Sequence, residues 1–219
     1  MRSGGRVWVT KTKRVSSNNG MPKHSLFFLL VSTASALAQP VSFGVIGGVS
    51  LTEDFQNKTI IVGPNGNAVL AYSTPKRWIA GGTVEARLPF HLAIEVDALY
   101  HELEFTQAFL ETSNGTLNSV SPAPVVTWEF PILAKYRFSF PLIKPFVDAG
   151  PAFRSAGNLN GASPSNHGLA AGLGVEVRLW KLKIAPQFRY VRWARDQNVG
   201  FFQPPTVPDQ VEFLTSIIL

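Results

Sequence analysis

The chain has 219 residues, including 18 Gly, 16 Phe and 5 Trp but no Cys, and its formal net charge is +6. This length suits one domain of ordinary size, and the lack of cysteine excludes a disulfide framework and a thiolate zinc site. The positive charge would suggest an anionic partner, but six of the 20 basic residues and none of the 14 acidic residues lie in residues 1–38. The rest of the chain therefore carries equal numbers of both signs, and nothing in it points to a nucleic-acid partner.

Residues 1–38 have the pattern of an upstream extension followed by an export signal that is removed. Residues 21–38 read MPKHSLFFLLVSTASALA, with a basic start, an apolar run at residues 26–31 and a small-x-small cleavage site at residues 36–38. This apolar run is much shorter than the roughly 20 residues of a membrane-spanning helix. No later segment is long and apolar enough either, so a membrane location would require strands. We expect the mature chain to begin at Gln39 and residues 39–219 to form one barrel domain.

From residue 41 onward, apolar residues recur with a period of two, which predicts β-strands. Eight candidate strands span residues 41–52, 77–88, 92–105, 125–138, 143–154, 167–179, 181–193 and 209–219. The connections after the second, fourth and sixth candidates are short, whereas those after the other candidates run from about a dozen to more than twenty residues. Membrane barrels show this alternation between tight turns and long loops. The sequence thus predicts an all-β fold, an eight-stranded antiparallel up-and-down transmembrane β-barrel.

The long connections are the expected place for recognition, because loops on a rigid scaffold commonly carry it. They comprise residues 54–76, 106–123, 155–166 and 194–207. The first contains KTIIVGPNGNAVLAYS, residues 58–73, in which two β-prone runs flank Gly63-Pro64-Asn65-Gly66. This pattern predicts a β-hairpin that projects beyond the membrane.

Strand parity separates charged from apolar side chains. In residues 130–138, Phe130 and Ile132 point one way while Lys135 and Arg137 point the other. A soluble lipocalin-like barrel would turn the apolar face inward, whereas a membrane barrel turns it toward lipid and fills its lumen with charge. The candidate strand at residues 41–52 has no charged residue on either face, which favours lipid outside.

The predicted lumen charge network contains seven acids and seven bases on the shared polar face. Its members are Glu85, Arg87, Glu95, Asp97, Glu129, Lys135, Arg137, Asp148, Arg154, Glu176, Arg178, Lys183, Arg189 and Glu212. An eight-stranded barrel has an interior just wide enough for side chains. We therefore expect cross-strand ion pairs to plug the lumen.

Aromatic residues fall near both ends of the candidate strands. Trp78, Trp128 and Trp193 lie toward the long loops, and Phe90, Phe138, Phe140 and Trp180 lie toward the short turns. Two such groups are typical of the aromatic belts at the two surfaces of a membrane.

Three segments, FPILAKYRF, PFVDAGPAFR and LKIAPQFRYVRW, resemble segments of the bacterial outer-membrane β-barrel domain family, which is related to the membrane domain of outer-membrane protein A. The resemblance covers residues 41–219 and implies an eight-stranded barrel in the bacterial outer membrane. It further implies outer-membrane lipid and lipopolysaccharide as surroundings, periplasmic chaperones and the barrel assembly machinery as folding partners, and a monomeric state. It carries no catalytic signature.

No catalytic, cofactor or metal residue is predicted. Lipid A deacylases use a His-x-Ser pair, but Leu103 follows His101 by two positions and Leu169 follows His167 by two. His101 and Glu102 alternate faces, so we interpret them as the polar end of a strand that rises above the membrane rather than as metal ligands.

The predicted function is a structural role or a surface interaction through the loops. The alternative is a narrow pore or a barrel that binds a small solute or lipid. A lipid A-modifying enzyme and a soluble lipocalin-like carrier are less favoured.

Overall fold

The computed structural model describes residues 41–111, 116–141, 143–157, 163–179, 182–196 and 199–219. The strands are β1 (Val41–Ser50), β2 (Lys58–Val62), β3 (Asn67–Ser73), β4 (Trp78–Arg87), β5 (Leu92–Glu111), β6 (Thr116–Arg137), β7 (Ile143–Ala156), β8 (His167–Leu179), β9 (Leu182–Trp193) and β10 (Asp209–Ile218). The described residues include no helix long and apolar enough to cross a membrane. The predicted export segment, residues 1–38, lies outside the described residues.

Eight of these strands form a closed antiparallel barrel, which confirms the predicted all-β fold and strand number. The order around the wall is β1, β4, β5, β6, β7, β8, β9 and β10. Pairing of β1 with β10 closes the ring, with Gly44 opposite Ile218 at one end and Ser50 opposite Glu212 at the other. Apart from the inserted β2 and β3, each strand pairs with its neighbours along the chain, so the topology is up-and-down.

The barrel has two unlike ends. At one end, which we name the turn-side mouth, β4 ends and β5 begins, β6 ends and β7 begins, and β8 ends and β9 begins. At the other end, the loop-side mouth, β1, β7 and β9 end and β4, β8 and β10 begin. The segment between β1 and β4 includes the hairpin formed by β2 and β3.

The predicted loop at residues 106–123 was wrong over most of its length, because β5 and β6 extend to 20 and 22 residues. The extensions pair with each other, for example Gln107 with Ser121. Pro122 and Pro124 interrupt the apolar alternation there and hid the strand in the sequence. The prolines are tolerated because β7 pairs with β6 only from Thr127 onward, which leaves an edge where a missing N–H breaks no ladder bond.

The predicted hairpin at residues 58–73 is confirmed. Lys58 lies opposite Ala71 and Val62 opposite Asn67, while Gly63 has a φ of 77° in the connecting turn. β3 also pairs with β5 from Phe105 to Leu110, beyond the part of β5 that pairs with β4. The hairpin thus prolongs the barrel wall on the loop side.

Side-chain burial alternates along the barrel strands, with polar groups inside and apolar groups outside. On the outer face, Phe43 and Val45 are each 62% exposed and Leu169 is 69% exposed. Inside, the fully buried side chains include Glu85, Glu95 and Arg189. This arrangement is the inverse of a water-soluble barrel, in which the apolar face is buried.

Aromatic residues lie near both ends of the barrel wall. On the outer face Tyr100 packs between Trp78, at a ring distance of 5.2 Å, and Trp128, at 5.6 Å. Trp193 lies toward the same end but points inward, where its Nε1 donates a hydrogen bond to Gln210. Strand parity predicts this inward position, since Trp193 shares its face with Arg189. Trp180 lies outside the described residues.

Close packing of adjacent strands gives a test of the wall. A Cβ added at Gly81 would lie 1.9 Å from the carbonyl oxygen of Ala98, whereas at Gly82 the nearest atom would be 3.9 Å away. We expect Gly81→Ala to lower the free energy of unfolding by about 1–3 kcal/mol, because the ladder with β5 must open. Gly82→Ala is the control and should stay within about 1 kcal/mol of the wild type. Urea unfolding followed by tryptophan fluorescence measures both, and equal costs would contradict this account.

Candidate functional site: the charged barrel interior

The barrel interior holds most of the predicted charge network. Of the fourteen predicted residues, Glu85, Glu95, Asp97, Glu129, Lys135, Arg137, Asp148, Arg154, Glu176, Lys183, Arg189 and Glu212 are buried. Arg87 is half-buried and Arg178 is exposed, both near the turn-side mouth. Alternation along each strand turns these side chains inward, and the closed wall brings distant strands within reach of one another.

Glu85 is the centre of a cluster near the turn-side mouth. Its carboxylate accepts hydrogen bonds from Arg137 Nη2 and from Lys183 Nζ, the latter at 3.2 Å. Arg87 Nε lies 3.6 Å away. Arg137 also donates from Nε to Glu176 at 2.8 Å, so one guanidinium joins two acids. The cluster connects β4, β6, β8 and β9.

A second cluster fills the middle of the barrel around Arg189. Its Nη2 lies 2.7 Å from Asp97 Oδ2 and 3.6 Å from Glu95 Oε1. Lys135 donates to the other oxygen of Glu95 and lies 4.3 Å from the centroid of the Phe146 ring. These contacts give Glu95 and Asp97 a cationic partner, which stabilises a buried carboxylate.

Gln187 and Asp148 extend this middle cluster. When the Gln187 amide is oriented to satisfy both neighbours, it donates to Asp148 Oδ2 at 3.2 Å and accepts from Arg189 Nη2 at 3.0 Å. A neutral side chain therefore links an acid on β7 to an arginine on β9.

A third cluster lies toward the loop-side mouth and contains His101. This side chain is fully buried, with Nδ1 3.5 Å from Glu129 and Nε2 3.9 Å from Asp54. The interpretation of His101 as part of a polar strand end does not include this inward position. Its parity with Glu95 and Asp97 was the available signal for the interior.

Arg154 occupies the same region without a close carboxylate partner among the described residues. Its guanidinium lies 4.2 Å from the centroid of the Trp193 ring, and its Nε donates to the carbonyl of Ser165 at 3.0 Å. Stacking on an indole ring is a favourable setting for a desolvated guanidinium. The inward position of Trp193 thus serves the charge network.

The connection after β1 closes the loop-side mouth. Phe55 is buried against Phe105, Leu103 and Val125, with 5.0 Å between the two phenyl centroids. Asp54 beside it accepts a hydrogen bond from the Glu104 N–H. An apolar cap therefore covers the charged interior, although loop composition gave no signal that these two residues turn inward.

Neighbouring loops hold this cap in place. Val207 N–H donates to the carbonyl of Asp54 at 2.8 Å, and Phe55 forms an isolated bridge with Thr206. Asp196 accepts from the Thr206 N–H at 2.7 Å and from the Ser165 N–H at 3.0 Å. Three connections are thereby fastened together over the barrel.

Burial raises the pKa of Asp54 to about 6, while the nearby His101 lowers it and so offsets part of this effect. Asp54 lies in the loop cap, where its carboxylate also accepts the Glu104 N–H. A buried neutral carboxyl is favoured over a buried carboxylate in such a setting.

Among the described residues, no group of three or more His, Asp or Glu side chains is arranged to hold a metal ion. No model of a known protein family matches the chain, and no curated protein matches it.

Substitutions on β9 test how much the buried ion pairs contribute to the free energy of unfolding. Arg189→Gln should lower the free energy of unfolding by about 3–5 kcal/mol, because it leaves buried carboxylates without their cation. Arg192→Gln is the matched control, since Arg192 is 64% exposed and pairs with Asp209 on the surface. It should cost less than about 1 kcal/mol.

A double-mutant cycle distinguishes pairing from packing. The double variant Asp97→Asn/Arg189→Gln should lose less free energy of unfolding than the sum of the two single variants. Each single variant leaves a buried charge without its partner, whereas the double variant removes both charges. Additive costs measured by urea unfolding would show that Arg189 acts through its packing volume instead.

The shifted pKa of Asp54 predicts a pH dependence of stability. Its pKa is about 6 in the folded chain against an ordinary value of 3.8, so the folded state holds the proton more tightly. The stabilising contribution is complete below about pH 4 and is lost as the pH rises through about 6. At pH 7 the loss amounts to about 3 kcal/mol at 1.36 kcal/mol per pKa unit.

Asp54→Asn should therefore be more stable than the wild type at pH 7 and similar to it at pH 4. Unfolding free energies measured across this range check the difference. Glu53→Gln, at an exposed neighbouring position, is the control and should track the wild type. A constant difference between Asp54→Asn and the wild type at every pH would contradict the linkage to Asp54.

Proposed function

We propose that this protein spans the bacterial outer membrane as an eight-stranded β-barrel whose charged interior is closed, and that its role is structural or is exercised through its loops. The observation that carries the proposal is the inverted distribution of side chains. Apolar residues such as Phe43, Val45 and Leu169 face outward while Glu85 and Arg189 are buried. Soluble proteins rarely expose an apolar patch larger than a few hundred Å², whereas a lipid-facing wall requires one.

The dimensions of the outer face support the same proposal. The aromatic group around Tyr100 lies near the loop-side mouth, and the Tyr136 and Phe138 rings, 5.1 Å apart, lie near the turn-side mouth. Trp128 of the first group and Tyr136 of the second lie eight positions apart on the same strand, β6. Roughly 9–11 tilted residues cross a bilayer, so the two groups suit the two interfaces.

A closed interior supports a structural or interaction role over transport. The middle of the barrel is filled by the ion pairs of Arg189 and Lys135, and the Phe55 cap covers the loop-side mouth. Apolar side chains are exposed beyond the cap, where Ile61 is 73% exposed and Phe201 is 70% exposed. Exposed apolar residues on projecting loops offer a surface for a partner.

A narrow water path is the second candidate, and it rests on a specific observation. Both carboxylate oxygens of Glu212, Oδ1 of Asp97, and Nε and Nη1 of Arg189 are buried without a hydrogen bond to the described residues. Buried polar groups are generally satisfied by protein or by ordered water. A connected file of such waters would let the barrel act as a narrow pore.

Outer-membrane lipid and lipopolysaccharide are the proposed surroundings, and periplasmic chaperones with the barrel assembly machinery are the proposed folding partners. We also propose that the chain belongs to the outer-membrane barrel family that residues 130–138, 145–154 and 182–193 resemble. Pairing of β1 with β10 completes the ring within one chain, so closure of the barrel needs no second copy, which favours a monomer.

Detergent extraction and planar-bilayer recording test the proposed function. We expect the protein to require detergent, to show heat-modifiable gel mobility and to give no stable open conductance, because charge pairs and the apolar cap obstruct the interior. Protease added to intact cells should cut within the described loop segment 199–208 and spare residues 138–141 at the turn-side mouth.

The other outcomes identify the alternatives. Stable conductance from the wild-type protein would replace the closed barrel with the pore. Recovery of folded protein from the periplasm without detergent would contradict the membrane location and favour a soluble carrier.

A further inference from the structure

We infer that the turn-side mouth is a binding site for an anion that bears a phosphate group and an apolar portion. A cavity of about 480 Å³ opens there, lined by basic residues on β4, β6, β7 and β8. This volume lies within the range of small-molecule sites, which is roughly 300–1,000 Å³. The cavity belongs to the barrel whatever surrounds it, so the inference does not depend on the proposed membrane location.

The charge of the cavity is the first support. Arg87, Arg137, Lys144 and Arg178 line it, and Glu176 is the acid among the lining residues. Arg137 neutralises Glu176 through the bond from its Nε. Lys144 and Arg178 are exposed and form no ion pair with any other described residue. Two cations are therefore available to a ligand.

The construction of the inner wall is the second support. Arg137 is 8% exposed and is held by Glu85 and Glu176 on opposite sides. Glu85 lies behind the lining and contacts Lys183 at 3.2 Å. A cation held by two acids keeps its orientation, and a preorganised guanidinium suits the oxygens of a phosphate better than a mobile surface lysine does.

The short connection after β4 supplies the third support. Phe90 and His91 both have positive φ, 63° and 64°, and Leu92 N–H donates to the Pro89 carbonyl. A turn with this φ signature normally carries Asn or Gly, since other residues are strained there. His91 nevertheless lines the cavity, with its Nε2 2.8 Å from Ser139 Oγ. Strained residues concentrate at functional sites, and this pair adds polar groups beside the cations.

Apolar residues complete the wall. Leu88, Leu92 and Phe138 also line the cavity, so part of its surface is apolar. A simple inorganic ion would leave this surface wet, whereas an organic phosphate would cover it and gain from its burial. The chemistry is shared by a soluble organic phosphate and by an anionic phospholipid headgroup.

Calorimetric titration of the full mature protein in neutral detergent tests the site, with phenyl phosphate and inorganic phosphate as probes. Phenyl phosphate should bind saturably, several-fold more tightly than inorganic phosphate, and more weakly as salt increases. The double variant Lys144→Gln/Arg178→Gln should weaken binding at least tenfold. Both side chains are exposed, so the variant should keep its heat-modifiable mobility.

The matched control removes the same charge at the other end of the barrel. Lys76→Gln/Arg77→Gln changes two exposed cations near the loop-side mouth, which pair with Glu102 and Glu53. It should leave the dissociation constant within about twofold of the wild type, since these cations lie far from the cavity. Equal weakening in the two double variants would overturn the inference in favour of general charge attraction, as would no saturable binding of phenyl phosphate by the wild type.

Native mass spectrometry distinguishes the two sources of the phosphate. Phosphatidylglycerol that is retained by the wild type, displaced by phenyl phosphate and lost in Lys144→Gln/Arg178→Gln would assign the site to a lipid headgroup. Binding of phenyl phosphate without retained phosphatidylglycerol would assign it to a soluble solute. A wrong membrane location would appear instead as protein that stays folded and soluble without detergent. This outcome is distinct from a loss of phenyl phosphate binding, so each proposal can fail without the other.

Discussion

The narrowness of an eight-stranded barrel is the constraint on which the other features depend. Its interior admits side chains and little else, so every charge turned inward must find its partner across a short distance. The Arg189–Asp97 pair joins β9 to β5, which lie on opposite sides of the ring. The Lys183–Glu85 pair similarly joins β9 to β4. These ion pairs connect strands that share no backbone hydrogen bonds. They therefore oppose displacement of one side of the barrel relative to the other.

The same narrowness determines where the inner face of the wall must carry small residues. A Cβ added at Gly172 would lie 2.5 Å from Asp148 Oδ1, and one at Gly174 would lie 2.5 Å from the Phe146 ring. Both glycines face long inward side chains on β7. Small residues on the inner face therefore make room for the charged and aromatic groups beside them, which explains why a strand as poor in large inward side chains as β8 still has a filled interior.

Strand parity made the barrel and its inner charges predictable, whereas features that depend on tertiary contact were not. Period-two alternation located all eight barrel strands, and Gly63-Pro64-Asn65-Gly66 located the hairpin, because both signals are local. The part of β6 before residue 125 was not predicted, because Pro122 and Pro124 locally disfavour a strand. This part is held by its pairing with β5, which the local sequence does not reveal. Parity turns Trp193 inward, but its contact with Arg154, the partners of the interior charges and the inward turn of Asp54 depend on which strands and loops meet across the ring. No single segment encodes those contacts.

The two mouths differ in how they meet solvent, because an apolar cap covers the loop-side mouth whereas a cavity opens at the turn-side mouth. At the loop side, Phe55 packs on apolar neighbours and backbone hydrogen bonds tie the covering connections together. Apolar packing is not weakened by electrostatic screening, whereas ion pairs that reach solvent are. At the turn side, Arg137 and Glu176 meet an open cavity instead of a cap. Solvent therefore meets the charged clusters at the turn side, where the exposed Lys144 and Arg178 line the cavity, while Asp54 is buried with the cap at the loop side.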